Sequence, residues 1–289
     1  MTAATIGNGL TIEYDEHGEG PPLLLVMGWG AQLIAWPQEF VDVLVAAGFR
    51  VIRFDNRDIG LSSAIDAPAP TTRQLILSVI APRFVKAPYT VDDMADDAAQ
   101  LLDHLDVGAT HVVGASMGGM IAQAMAIRHP AKVASLTSIM SNTGDRKHGR
   151  TKRSLLLKLP KAIPKDRDDA VEKGVYGFRL TSGPHFDADA VRQMVKESFD
   201  RSYRPDGAGR QGLAIAASRD RTWDLGRVRV PALVIHGLVD RLVQPSGGIA
   251  TARAIPGAKL VMYPDMGHDL PRPRWPDIVT DITEITHRA

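Results

Sequence analysis

The chain has 289 residues, 44% of them hydrophobic, enough for one doubly wound domain with a large core and an insertion. A formal charge of +1 argues against nucleic acid as the main partner, and the absence of cysteine excludes disulfides and thiolate metal sites. The start, Met1-Thr-Ala-Ala-Thr, lacks the basic opening and apolar stretch of a signal peptide, and no segment reads as a membrane span, so a cytoplasmic protein is expected.

In chain order, Ile6 to Tyr14, broken by Gly7-Asn8-Gly9, reads as an opening hairpin. Pro21 to Met27 is a continuous apolar run bounded by proline and glycine, hence a buried strand, and it ends in Gly28-Trp29-Gly30. A helix is expected from Trp36-Pro37 to Ala47, with proline in its first turn and Gly48 as its stop. Val51 to Phe54 follows as a strand. From Val91 to Leu105, Met94, Ala95, Ala98, Leu101 and Leu102 share one helical face. Asp92, Asp93, Asp96 and Asp97 are expected as a solvated face complementing that helix's dipole, not as a metal site.

The next stretch, His111-Val-Val-Gly114-Ala-Ser116-Met-Gly118, carries most information. A short β-branched run gives way to a helical pattern from Met117 to Ile127 that stops before Pro130. A serine between two glycines at such a junction is the G-x-S-x-G nucleophile elbow. The turn lifts the hydroxyl into a cleft and aims the first N–H groups of the helix at it. Val133 to Ile139 is expected as the following strand.

Some ninety residues then separate this strand from the one starting near Val230, far more than a crossover needs. Residues 141–227 are therefore expected to form an inserted cap, with 1–140 and 228–289 as the core. The run Arg146 to Lys161 holds seven Lys or Arg and no acid, interleaved with leucines. It reads as a lid helix with a basic polar side, and a contact with an anionic membrane surface or a phosphate-bearing substrate stays open beside that. Phe178 and Trp223 are cap aromatics that either line a substrate pocket or simply pack.

Beyond the cap, Val230 to Gly237 reads as a buried strand whose following loop holds Asp240. Ala258 to Tyr263 reads as another, followed by the loop with Gly267-His268-Asp269. A serine hydroxyl is a poor nucleophile unless an imidazole takes its proton, and a carboxylate must hold that imidazole in the right tautomer. Ser116, Asp240 and His268 supply these three types in the order the elbow arrangement requires. His104, His111, His129 and His148 are assigned to structural or surface positions, and His236, at a strand end, to a core or supporting one. Asp269 adjoins the base and would point away from it, and Asp265 is a weaker rival. A final helix is expected from Trp275 to His287.

These features together resemble the α/β-hydrolase superfamily over nearly the whole chain. Arg53-Phe-Asp55-Asn-Arg57-Asp-Ile-Gly60-Leu-Ser62 is similar to its D-x-R-G-x-G-x-S loop, with Asp58 where glycine is common. Met27-Gly-Trp-Gly, Trp36-Pro37, Ser116-Met-Gly and Gly267-His268 are most similar to the aclacinomycin methylesterase group and related bacterial carboxylesterases. The resemblance implies an α/β-hydrolase fold, a mostly parallel doubly wound sheet with an inserted helical cap. It implies ester hydrolysis on a small or medium hydrophobic substrate without cofactor or metal, and an oxyanion hole from the Trp29 and Met117 N–H groups beside Gly28 and Gly30. Some members take the acid from the loop after the preceding strand, here Asn142 to Asp145. The same triad serves thioesterases, perhydrolase or haloperoxidase-type enzymes and C–C bond hydrolases. A non-catalytic ligand-binding receptor is the alternative of another class.

Overall fold

A computed structural model describes residues 2–158 and 164–289. The first half runs β1 (Thr2–Thr5), β2 (Thr11–His17), β3 (Pro22–Val26), α1 (Gln38–Ala46), β4 (Arg50–Phe54), α2 (Thr72–Ile80), α3 (Val91–His104), β5 (Thr110–Ala115), α4 (Met117–Arg128) and β6 (Val133–Ile139). Five helices follow, α5 (Arg153–Leu156), α6 (Arg167–Thr181), α7 (Ala188–Arg201), α8 (Pro205–Ala217) and α9 (Thr222–Leu225). The chain closes with β7 (Ala232–Gly237), α10 (Ser246–Ala254), β8 (Lys259–Tyr263) and α11 (Trp275–Thr286).

The eight strands form one sheet in the order β1-β2-β4-β3-β5-β6-β7-β8. The opening hairpin is antiparallel and pairs antiparallel with β4, and every later pair is parallel. The alternation in β3 shows how the sheet is buried on both faces. Leu24 and Val26 face a core that includes Met94, Leu101 and Ile121 of α3 and α4, and Leu23 and Leu25 face Phe40, Leu44, Trp275 and Ile278 of α1 and α11. From β3 the chain passes first to β4 on one side and then to β5 on the other. That reversal opens a crevice past the carboxyl ends of β3 and β5, the usual ligand position in such sheets. No helix among the described residues is long and apolar enough to cross a membrane.

The expected elements appear within a few residues, and two expectations need correction. The aspartates of α3 are not one solvated face. Asp93 closes a capping box with Thr90, but Asp97 is 2% exposed and receives two bonds from Arg57, at 2.5 and 2.6 Å, and one from Asn8 Nδ2. Helical spacing alone puts Asp97 near the polar side, and only the loop carrying Arg57 turns it into a buried anion site. The basic run is also not one lid helix. Residues 142–152 form a loop, and among the described residues of the run only Arg153–Leu156 is helical, a single turn with no side-chain cap. Leu159, Pro160 and Lys161, the end of that run, lie outside the described residues.

Buried ion pairs fasten two of the helices between β6 and β7 to the loop after β4. Arg210 of α8 grips Asp58 through two bonds of 2.8 and 2.7 Å, and the Tyr89 hydroxyl donates to the same carboxylate at 2.7 Å. Burial, followed by that bond to Asp58, pushes the Tyr89 phenol far above its ordinary value. Arg201 of α7 donates to Asp55 at 2.6 Å. Asp58 itself has φ 73°, the left-handed region, which is why glycine suits this loop position. Replacing Asp58 by glycine relaxes that backbone but strands the Arg210 guanidinium, so the unfolding free energy should fall by about 3 kcal/mol. The double substitution Asp58→Gly/Arg210→Met should recover most of the loss. Urea midpoints are the readout, and an unchanged midpoint in the single variant would refute a stabilising pair.

Candidate active site

β5 ends at Ala115 and α4 begins at Met117, which leaves Ser116 alone in the turn at φ 57° and ψ −118°. That conformation is strained for any residue with a Cβ, so its surroundings must hold it. The Ser116 N–H donates to the Ile139 carbonyl at 2.9 Å, and its own carbonyl accepts from Ser141 Oγ at 2.7 Å. The flanking glycines answer to close backbone contact. A Cβ on Gly114 would lie 2.1 Å from the Gly118 carbonyl oxygen, and one on Gly118 would lie 2.0 Å from that of Val26 in β3. Gly28 is tight to a lesser degree, since a Cβ there would stand 3.1 Å from Ser116 Cβ.

On the other side, the ends of β7 and β8 converge. Gly237 allows it, because a Cβ there would sit 2.0 Å from the Met266 carbonyl oxygen. Leu238 N–H donates to Tyr263 and Val239 N–H to Met266, which carries the pairing past the strand ends. Asp240 is 3% exposed, and its Oδ1 accepts from the amides of Leu242 and Val243 at 2.8 and 2.9 Å. Its Oδ2 lies 2.7 Å from His268 Nδ1, and His268 Nε2 lies 2.9 Å from Ser116 Oγ. The ionised carboxylate only accepts, which assigns the proton to Nδ1 and leaves Nε2 to accept from the serine hydroxyl. Burial works to raise the Asp240 carboxyl, but the charge and hydrogen bond of His268, with the nearby His236 ring, outweigh it and hold the carboxyl below its ordinary value.

The segment between β6 and β7 also contacts His268. His268 N–H donates to the Thr181 carbonyl at 2.8 Å, at the end of α6. Asp269 faces away from the ring, accepting from the amides of Gly267 and Gly183 at 2.9 and 3.2 Å, and burial raises its carboxyl. Asp265 is held by Arg274 and His185, which bring it down to about 2. Asp145 of the 142–145 loop pairs instead with His148. His236 is fully buried behind the acid, its Nε2 donating to the Val243 carbonyl at 2.8 Å and lying 3.5 Å from Asp240 Oδ2.

The loop after β3 is fixed from three directions. Asn56 Nδ2 donates to the Met27 carbonyl at 2.9 Å, Gln211 of α8 accepts from the Gly30 amide at 2.9 Å, and Trp29 Nε1 donates to the Ala208 carbonyl at 2.6 Å. Among the described residues, the backbone N–H groups of Trp29 and Met117 have no protein acceptor. Neither Phe178 nor Trp223 makes a hydrogen bond to the trio through its side chain. Phe178 is on α6, and Trp223, 77% exposed, packs under the Arg227 guanidinium on α9. No group of three His, Asp or Glu among the described residues could hold a metal ion. Arg201, Arg210 and Gln211 were not singled out from the sequence. No local feature marks the two arginines, because the aspartates they meet, Asp55 and Asp58, lie 146 and 152 residues earlier in the chain.

A family model described as alpha/beta hydrolase fold matches residues 21–271. The rhodomycin D methylesterase DnrP of Streptomyces peucetius is 31% identical over 271 residues, 86% of this chain and 85% of its own. A putative non-heme bromoperoxidase, BpoC of Mycobacterium tuberculosis, is 26% identical, covering 90% of this chain and 91% of its own. Among solved structures, an enol-lactonase from Burkholderia xenovorans superposes with a TM-score of 0.73 at 24% identity, over 99% of this chain and 100% of the other.

The depressed Asp240 carboxyl sets a pH dependence. A carboxyl lowered on folding contributes stability that is complete above its unfolded value, about 3.9 for aspartate, and is lost as pH falls through the lower folded value. The urea-midpoint difference between the protein and Asp240→Asn should therefore stay constant above about pH 5 and shrink on acidification. A difference that widens below that pH would contradict the assignment.

Proposed function

The chain belongs to the α/β-hydrolase fold family and is an esterase-type hydrolase by its relatives, and from that premise we propose a serine carboxylester hydrolase working through an acyl-enzyme. The observation that carries this reading is the unbroken hydrogen-bonded line from Ser116 Oγ through His268 to Asp240. Ser116 attacks the ester carbonyl while His268 Nε2 takes its proton and then delivers it to the leaving alkoxide. Asp240 keeps Nδ1 protonated and stabilises the imidazolium. The Trp29 and Met117 amides receive the tetrahedral oxyanion, a contribution typically of about 3 kcal/mol. Water, deprotonated by His268, releases the acid from the enzyme.

The substrate is a hydrophobic ester of small or medium size. Leu238 and Val239, 50% and 40% exposed, directly precede Asp240, and Trp29, 53% exposed, follows Gly28, which packs on Ser116; this supports an apolar seat for the acyl group. Methyl esters are the first class to try, because the Streptomyces relatives are named as methylesterases. Residues 141–227 serve as a cap, a reading supported by the grip of α6 on His268 and of α8 on the Gly28-Trp29-Gly30 loop. Perhydrolysis, in which hydrogen peroxide replaces water as the acyl acceptor, is a second reading that the haloperoxidase relatives favour.

The test is hydrolysis of methyl and p-nitrophenyl esters of increasing acyl length, with and without peroxide. Ser116→Ala should lower kcat/KM by about 10⁴-fold or more, and Asp240→Asn by about 10⁴-fold, with KM nearly unchanged. A fluorophosphonate should add its mass to the protein and not to Ser116→Ala. Full activity in Ser116→Ala, or labelling that survives the substitution, would overturn the mechanism.

A further inference from the structure

Two stretches of this nearly neutral chain contain cations and no acid. Residues 67–90 hold Arg73, Arg83 and Lys86, and residues 146–161 hold seven Lys or Arg. Within the described part of the second, Arg146, Lys147, Arg150, Lys152, Arg153 and Lys158 are all exposed, as are Arg73 and Lys86 in the first. None of these eight is in an ion pair with a carboxylate among the described residues. Elsewhere on the surface many arginines are paired, Arg128, Arg167, Arg192, Arg272 and Arg288 each to an Asp or Glu, and exceptions such as Arg229, Arg241 and Arg253 are scattered along the chain. A set of unpaired cations is a field directed outward.

The same two stretches expose apolar side chains. α2 buries no residue, and Leu75, Ile76, Val79 and Ile80 are 42%, 54%, 64% and 73% exposed. At 100° per residue these four span an arc of about 140° on the helix, and Arg73 falls at its edge. Leu156 and Leu157, at 38% and 77% exposure, stand among Lys152, Arg153 and Lys158. The stretches are neighbours in space, because Pro82 and Val85, just after α2, share a cleft of about 500 Å³ with Arg146 and Lys147. The cleft also holds Asp145 and Asp220, and both are engaged, with His148 and with Thr222. Apolar side chains rimmed by unpaired Lys and Arg, with the neighbouring acids already engaged, are what an interfacial segment presents to anionic headgroups.

We propose that α2 and the 146–158 loop form a docking surface for an anionic lipid surface, with the α2 side chains entering the headgroup boundary and the cations meeting lipid phosphates. A second copy of the chain fits this face less well, since a symmetric contact would bring like charges together. The association is peripheral and stands apart from the hydrolase reading, because neither α2 nor the loop supplies a group to the Ser116 site.

Co-sedimentation of the full chain with vesicles tests it. Vesicles of phosphatidylcholine with about a third phosphatidylglycerol should bind at least about tenfold more strongly than phosphatidylcholine alone, and high salt should weaken that preference. Charge reversal at Arg150, Lys152 and Arg153 to glutamate should abolish the preference for anionic vesicles. Val79→Ser/Ile80→Ser should lower binding about tenfold with unchanged thermal unfolding, since both side chains already face solvent. Equal or absent binding to both vesicles overturns the proposal. So does concentration-dependent dimerisation in solution that Val79→Ser/Ile80→Ser abolishes, which would make the face a contact between copies.

Discussion

Everything at the crevice depends on backbones packed closer than a side chain would allow. Gly118 lies on the Val26 carbonyl, Gly114 on Gly118, and Gly237 on Met266, each position leaving about 2 Å to a would-be Cβ. These three contacts bring the β3 loop, the start of α4, and the loops after β7 and β8 to one point. Ser116 is then forced into positive φ, and its hydroxyl comes within 2.9 Å of an imidazole 152 residues along the chain. The strain is held by the bonds that Ile139 and Ser141 make to its backbone, so the cost of the conformation is spread over β6 and not left at the serine.

The second level of organisation is electrostatic. Asp55 and Asp58 lie fully buried in the loop after β4, and each receives an arginine from the helices between β6 and β7. Asp55 also accepts from the Leu33 amide and the Leu61 amide, so one carboxylate ties together the loop after β3, the loop after β4 and α7. Two buried charges out of water are costly, and such pairs serve geometry more than stability. Here the geometry at stake is the position of Gly28 and Trp29 beside Ser116. The segment between β6 and β7 therefore meets the site at two points, through Gln211 on Gly30 and through Thr181 on the His268 amide.

Much of this was legible in the chain itself. The trio Ser116, Asp240 and His268, the loop at Gly28 to Gly30 and the alternating helices and strands follow from local features: β-branched runs, glycine doublets and loops at strand ends. Such features are read within about ten residues, because the period of a strand or helix and the needs of a turn are short-range. His236, placed behind the acid by its strand-end position, and Asp269, read as facing away from the base, are of the same kind.

What only the tertiary structure decided involves partners far apart in sequence. Asp97 looks solvated from helical spacing and is buried because Arg57, 40 residues earlier, reaches it. The basic run resembles a lid helix by composition and is mostly loop, since in the chain alone nothing says whether a leucine stripe finds a core to pack against. Arg201 and Arg210 are ordinary helix residues until Asp55 and Asp58 face them across 146 and 152 residues. Local chemistry thus fixes which residues are able to react and where strands and helices begin. The pairing of buried charges, and with it the exact seat of the reacting groups, emerges only when distant segments share a dry interior.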